Sequence, residues 1–474
     1  VSLDALFEAE AVRAARAALA DRRAWIVGGA VRDAHLGRPI VDVDIAVEGA
    51  PAEAAEAVAR AGRGPAFQLS EEFGAWRAIG GSRPERWVCD VAPLQGPTIE
   101  DDLAQRDFAA NALAVPLDGG ELLDPTGGVR DIEARRLRVL PGAYERDRLR
   151  PLRLARLATE LGFEPDEGTA SATRAAAPAV VEASPERVFA ELRRIVVADR
   201  VVEGIERCDR LGLLAAVLPE LSALHGVEQS RYHHLDVYGH TLEVLEHQVA
   251  LERDPAAVFG AELGARVDAQ LARVLGDELN VWQALRLVAL LHDVAKPATR
   301  GELPDGRVTF MGHHDVGVEM IDAICARLRT SERLRTFLGA VTLHHLVLGF
   351  LVHERPLSRT HVYRYMKHCS PVELEVTVHS CADRMATRGD RSEEAIALHL
   401  ELARELAAEA IAWREQPPRV PVRGDDLARE LGIPSGPEIG ALLARLEEAA
   451  FTAEATTRDD ALALARRLRE NPDR

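Results

Sequence analysis

Two aspartates, Asp42 and Asp44, follow closely on a Gly28-Gly29 pair and an Arg32-Asp33 pair in the segment WIVGGAVRDAHLGRPIVDVDIAV. Two carboxylates aimed at one spot suit a pair of divalent cations, because hard ions take oxygen ligands from protein and from phosphate alike. Adjacent glycines let backbone N–H groups come close to a phosphate that bulkier residues would hold away. The implied chemistry is attack on a phosphorus atom, with metals held by Asp42 and Asp44. This works only if both side chains point the same way. Val41, Val43, Ile45 and Val47 alternate with the two aspartates and Ala46, which is the pattern of a half-buried β-strand. Alternate strand residues share a face, so the two carboxylates leave the backbone about 6–7 Å apart on one side. A strand at Ala24–Val27 leads into the glycines, and a turn at Leu36–Pro39 separates them from the aspartates.

The run GGxVRD, a Leu-Gly turn and then DxDxxV resembles the nucleotidyltransferase head of the class II tRNA CCA-adding enzyme and bacterial poly(A) polymerase family. The resemblance implies an α+β, mostly α protein. A polymerase-beta-like α/β head (1–140) is followed by a helical neck (141–200), body (201–230), HD domain (231–415) and tRNA-binding tail (416–474).

The bulk properties are compatible with this. A chain of 474 residues exceeds one core and divides into several domains. Ala, Leu, Arg and Glu dominate, which favours helix. No run of about 18 apolar residues and no basic-then-apolar leader is seen, so no membrane partner is expected. The five cysteines are odd in number and never form CxxC, and they read as reduced thiols of a cytoplasmic protein. A net charge of −18 argues against a general nucleic-acid binder, yet residues 130–160 carry nine arginines against five acids. Arginine forks match phosphates and base edges, so RNA can follow that track; helix salt bridges are the plainer account of the same charges. Nothing in the sequence specifies an oligomeric state.

Several elements must position the head residues. Residues 51–62 read as a helix with proline at its start and glycine at its end. Strands follow at Ala66–Leu69, Ala75–Ile79 and Arg86–Val91, then a helix over EDDLAQRDFAANALAV. Asp90, on WVCDVA, is either a third carboxylate or a strand-end acid. A Pro-Thr-Gly-Gly turn closes the head, helical patterning runs from 141 to 400, and residues 255–280 form an additional helical stretch.

The resemblance carries specific roles. Arg32 and Asp33 of GGxVRD contact the triphosphate and ribose. Arg106, Asp107 and Asn111 match the polar positions of the family's RRDFTINAL, with Gln105 where the first arginine is usual. Asp147 and Arg150, followed by Arg153, fall on the EDxxRxxR motif, in which an Asp and an Arg pair with the incoming base. An acceptor beside a multi-donor fork can select C or A over U or G. At i, i+3 the two are expected on one helix face. Arg146 replaces the motif's glutamate. Glu186, Arg187 and Glu191 match the neck helices. Only eight residues, APLQGPTI, separate Val91 from Glu100, where CCA-adding relatives carry a longer flexible segment. Enzymes adding only the two C residues lack that segment, so the resemblance leans toward CC addition.

Metal-type residues recur further on: His240, His292-Asp293, His313, His344-His345 and Asp383. This order resembles the HD phosphohydrolase superfamily. His240, His292, Asp293 and Asp383 are the expected ligands of an unidentified divalent metal, with His313 and His344 as further candidates. Imidazole mixed with carboxylate suits Mn, Ni, Fe or Mg more than a structural zinc. In the tail, VRGDDLARELGIPSGPEIGALLARL resembles a tRNA-gripping segment of the family. The expected activity is addition of C residues, and in the alternative full CCA, to the 3′ end of tRNA. It would draw on CTP (and ATP), with Mg2+ in the head and Gly28 and Gly29 at the phosphates. Competing readings are a poly(A) polymerase and an HD-type phosphohydrolase acting on RNA ends.

Overall fold

The computed structural model describes residues 3–71, 74–82, 86–229, 234–388, 392–434 and 436–470. The chain divides into two units, Val1–Val217 and Leu218–Arg474.

After a short turn of helix at Asp4–Glu8, the first unit forms an amphipathic helix α1 (Glu10–Ala18) and a six-stranded sheet. Its strands are β1 (Ala24–Val27), β2 (Asp42–Val47), β3 (Ala66–Ser70), β4 (Ala75–Gly80), β5 (Trp87–Pro93) and β6 (Ala114–Pro116), in the order β3-β4-β5-β2-β1-β6. Within this sheet only the β2–β5 pair is parallel; helix α3 (Pro51–Ala61), β3 and β4 lie between them in sequence, and α3 covers β4 and β5, while α2 (Gly29–His35) follows β1 directly. The apolar alternation expected for the DxD strand is observed, with Val43, Ile45 and Val47 almost fully buried. Val41 lies outside the strand and is exposed.

The helix expected over EDDLAQRDFAANALAV is corrected. Helix α4 spans Ile99–Ala104, started by a capping box between Thr98 and Asp101. It stops because polar side chains beyond it bind their own backbone: the Asp107 carboxylate accepts the Phe108 N–H at 2.8 Å. A 3₁₀ turn, Ala109–Asn111, leads straight into β6.

Beyond the sheet, α5 (Arg150–Leu161), α6 (Pro185–Val197) and α7 (Val201–Arg210) pack as a helical group. Asp147 and Arg150 do not share a helix. Asp147 is extended backbone (φ −149°, ψ 111°) ending a short turn, and α5 begins afresh at Arg150 with Pro151 in its first turn. Proline cannot donate to a preceding turn, so the two segments stay separate.

The second unit is mainly helical: α8 (Val237–Arg253), α9 (Val281–Leu291), α10 (His313–Leu328), α11 (Glu332–His344), α12 (Arg359–Cys369), α13 (Glu373–Met385) and α14 (Ser392–Glu415). Three further helices, α15 (Gly424–Leu431), α16 (Pro437–Phe451) and α17 (Arg458–Glu470), close around their own apolar cluster, which includes the fully buried Leu427 and Leu446. The stretch 255–280 is only partly helical: it ends in a ribbon, Val274–Gly276 with Leu279–Asn280, turned by Asp277 and Glu278 at positive φ. A run apolar enough to cross a membrane by composition, Glu332–Glu354, is broken at His345 into α11 and shorter turns.

Candidate active site and histidine cluster

Register places the head carboxylates. Asp44 on β2 lies directly opposite Asp90 on β5, and Asp90 directly opposite Arg77 on β4. Residues paired in this way share a face, so Asp42, Asp44, Asp90 and Arg77 line one side of the sheet. Asp90, readable from sequence as a third carboxylate or a strand-end acid, thus joins the pair. It accepts both arms of Arg77, at 2.8 Å each. All four line a polar cleft of about 1110 Å³.

Gly28 stands at the mouth of the β1–α2 turn with φ +75°, a conformation that costs a side chain dearly. A Cβ there would also sit 2.9 Å from Arg106 Nη1 and 3.4 Å from Asp44 Oδ2. The backbone, the guanidinium and the carboxylate therefore crowd one spot, as a phosphate-and-metal site requires. Arg106 is held from behind by the buried Asp102, at 2.9–3.1 Å.

The remaining head residues form one chain of hydrogen bonds. Arg32 donates both arms to Asp33 and a further N–H to the Asn111 amide oxygen. The Asn111 amide nitrogen donates to Asp107 at 3.0 Å, and Arg153 reaches Asp107 at 3.3 Å and Glu191 at 3.2 Å. Arg156 bridges Glu191 and Glu160. Gly28, Gly29, Arg32, Asp33, Arg106, Asp107, Asn111, Arg150 and Arg153 all border the cleft; Asp147 is not among the lining residues. Arg150 Nη1 is spent on the Gln105, Arg106 and Ala143 carbonyls, while its buried Nε has no partner. Asp147 accepts from the Leu149 N–H and from Arg187.

Electrostatics separates two kinds of carboxylate here. Burial, together with the charges of Asp90 and Asp42, pushes Asp44 up to about 6 despite Arg106 and Arg153. Burial also works against Asp107, but Arg153, Asn111, Arg150 and the Phe108 N–H outweigh it and hold its carboxyl below the usual range. Asp107 is therefore a satisfied structural anion. Asp44 is an under-compensated one, and a divalent cation is the compensation it lacks.

In the second unit, His240 (α8), His292-Asp293 (after α9), His313 (start of α10), His345 (end of α11) and Asp383 (α13) converge, and all but Asp383 are almost fully buried. Two sets of groups lie close enough to share an ion: His240, His292 and Asp293, and Asp293, His313 and His345. Asp383 Oδ1 is 3.1 Å from His240 Nε2. The expectation for His344 is corrected. Adjacent helical residues differ by about 100° in direction, so His344 turns away, edge-on to His368, and His345 faces the cluster.

His313 and His345 each direct Nδ1 at the carbonyl three residues back, at 2.8 and 2.6 Å. A carbonyl only accepts, so each Nδ1 carries the hydrogen and each Nε2 is bare. Burial lowers both, His345 to about 4. The two bare Nε2 atoms face one another at 3.3 Å, a repulsive arrangement that a cation between them would relieve. Despite burial, the charges of Asp293 and Asp383 raise His292, while Asp293 and Asp383 are themselves held well below the ordinary carboxylate range. Lys296, 2.7 Å from Asp293, had no place in the sequence reading, although HDVAK puts it one turn on. The donor set of both sites thus fits divalent metal.

The comparisons with known proteins agree with this geometry. Residues 24–138 match the poly A polymerase head domain, 162–224 the probable RNA and SrmB-binding site of polymerase A, and 237–388 the HD domain. The chain is 35% identical over 458 residues to an A-adding tRNA nucleotidyltransferase of Deinococcus radiodurans, covering 94% of this chain and 96% of that one. It is 33% identical over 451 residues to a CC-adding tRNA nucleotidyltransferase of Thermus thermophilus, covering 93% and 92%. A CCA-adding enzyme in its apo form superimposes with a TM-score of 0.65 at 21% identity, covering 97% and 95%. The Thermotoga maritima CCA-adding enzyme complexed with tRNA superimposes at 0.63 and 20%, covering 98% and 97%. The chain belongs to the class II tRNA nucleotidyltransferase and poly(A) polymerase family, metal-dependent enzymes here carrying an HD domain.

Proposed function

We propose that the head cleft adds two cytidylates to the 3′ end of tRNA from CTP, releasing pyrophosphate, in the cytoplasm. Asp42 and Asp44 would hold Mg2+, which when bound activates the attacking hydroxyl and stabilises the leaving pyrophosphate. Gly28, Gly29, Arg32 and Arg106 receive the triphosphate, and Asp33 orients Arg32. By the resemblance, Asp147 would accept from the cytosine amino group, which uracil lacks, after turning from Arg187 toward the cleft, and Arg150, whose buried Nε has no partner, would donate to the base edge. Asp107, Asn111 and Arg153 keep that side of the cleft rigid.

The observation that carries CC addition is the connector between β5 and α4. It is short and tied down: Leu94 N–H donates to Val47, Gln95 N–H to Asp102 at 3.0 Å, and Thr98 caps α4. It has no slack with which to reshape the cleft for a second base. The A-adding relative supports a second reading, in which the chain adds the final adenylate.

One experiment separates the readings. tRNA lacking its last three nucleotides, and tRNA ending in CC, are incubated with CTP, ATP or both. Two additions from CTP on the first and none from ATP on the second establish CC addition. One adenylate on the second overturns it in favour of A addition, three additions in favour of full CCA, and a long ATP run in favour of a poly(A) polymerase. No incorporation overturns the transferase reading.

The histidine cluster supports a separate HD-type phosphohydrolase activity with His240, His292, Asp293, His313, His345 and Asp383 as ligands. A cavity of about 330 Å³ beside it is lined by Lys296 and Arg384, cations suited to a phosphate. Phosphate release from an aryl phosphate with Mn2+, Ni2+ or Mg2+, retained in Asp42→Ala and lost in Asp293→Asn, is the expected result; release unaffected by Asp293→Asn refutes it.

A further inference from the structure

Arg77 has no part in the proposed reaction, yet it stands on the face that carries it. It lies across from Asp90, gives that carboxylate both arms at 2.8 Å, and lines the cleft together with Asp42 and Asp44. A bidentate pair occupies the directions in which Asp90 would bind an ion. Its side chain is about one-third exposed, on the open side of the sheet, so it has room to leave.

We propose that Arg77 is the exchangeable countercharge of this carboxylate group. With no divalent ion bound, its guanidinium neutralises Asp90 and partly shields Asp42 and Asp44. When ions enter, Asp90 changes partner from Arg77 to metal, and the freed fork turns to the oxygens of the incoming triphosphate. One cation thereby links ion entry to nucleotide capture. A planar fork suits this exchange, since it matches carboxylate and phosphate equally well. In this scheme Arg77 both governs which groups are available to the ion and itself binds the nucleotide. The inference rests on the reading that Asp42 and Asp44 hold divalent ions.

The test is a Mn2+ titration of the full-length chain by calorimetry, without nucleotide. Asp293→Asn is present throughout to remove the ligand shared by both groups of the histidine cluster. Arg77→Gln is expected to bind Mn2+ about tenfold more tightly, because its fork no longer competes with the ion for Asp90. In the Asp90→Asn background the same substitution should change affinity less than threefold. In steady-state incorporation assays, Arg77→Gln should raise the KM for CTP at least fivefold while kcat falls less than threefold. Arg77→Lys, which keeps the charge and loses the fork, should hold Mn2+ affinity near the parent value with KM in between. Unchanged or weaker Mn2+ binding in Arg77→Gln overturns the inference, as does an equal effect with and without Asp90. If Asp42→Ala leaves Mn2+ binding by the parent intact, the underlying reading of the head fails instead. Should Arg77→Gln not fold, Arg77→Lys still decides through its KM, and a value unchanged from the parent overturns the role of the fork.

Discussion

Replacing Arg153 by methionine tests the division of the head carboxylates into satisfied and unsatisfied ones. Arg153 lies between Asp107 (3.3 Å) and Glu191 (3.2 Å), both under 10% exposed. Breaking a buried ion pair from one side costs about 3–5 kcal/mol, because a charge is left without compensation. Here each carboxylate keeps other partners, Phe108 N–H and Asn111 for Asp107 and Arg156 for Glu191. The expected loss is therefore near the lower limit, about 3 kcal/mol at pH 7, or roughly 6–12 °C in the melting transition of a unit this size. The pH dependence carries the diagnosis. In the parent, the Asp107 pKa is depressed, so its contribution is complete above the unfolded value of about 3.9 and is lost as pH falls through the folded value. Without Arg153 the largest of the influences that lower it is gone, and the folded pKa is expected to rise above the unfolded one. The penalty then exists only where Asp107 is ionised, and it fades as pH falls through the raised value. Calorimetric melts of parent and variant between pH 7.5 and 4.5 should show the gap between them shrinking on acidification. A gap that is constant across this range, or a loss below about 1 kcal/mol at pH 7, would refute the assignment of Asp107 as an anion held by Arg153.

Other substitutions follow from the same geometry. Asp44→Asn should cut nucleotide incorporation by about a thousandfold or more. It should also raise the melting temperature in chelator at pH 7, because an acid whose folded pKa is raised to about 6 opposes folding once ionised; a lower melting temperature argues against that strain. Gly28→Ala puts a Cβ 2.9 Å from Arg106 at φ +75° and should reduce kcat/KM at least tenfold, with a stability loss of about 1–2 kcal/mol, measured by incorporation assays and melts. His345→Ala should weaken Mn2+ binding by the second unit at least tenfold in an Asp42→Ala background, whereas His344→Ala should leave it within twofold; the reverse order would show that the wrong histidine has been chosen.

The strands of the head were legible because alternation is a local property: Ala24–Val27 matches, and the strands around Gln68, Ala78 and Cys89 shift by one or two residues at their ends. What escaped depends on groups distant in sequence or on competition within the backbone. Periodicity carried a helix through Asp107 and Asn111, which instead spend their polar atoms on Phe108 and on each other. The part taken by Asp90 was decided by strand register, which WVCDVA does not contain. Asp147 and Arg150 have helical spacing, but the chain is extended at Asp147 and a new helix starts at Arg150, with Pro151 in its first turn. His344 and His345 are equivalent in composition and differ only in which way α11 happens to present them.

The connector between β5 and α4 also says something about ancestry. Gly96, at φ +141° and with no room for a side chain because a Cβ there would lie 2.7 Å from the Asp101 Cβ, shows how tightly that turn is drawn. Lengthening a surface loop costs little, about 0.6 kcal/mol for each doubling. A fold with this much sheet and helix on either side would carry a longer insertion without difficulty. The brevity of the segment is therefore not demanded by folding. Lineages of this architecture can gain or lose a loop here at almost no thermodynamic penalty, which, on the CC-adding reading proposed above, would make Leu94–Pro97 a place where evolution, or an engineer, could exchange one nucleotide preference for another while the rest of the head stays as it is.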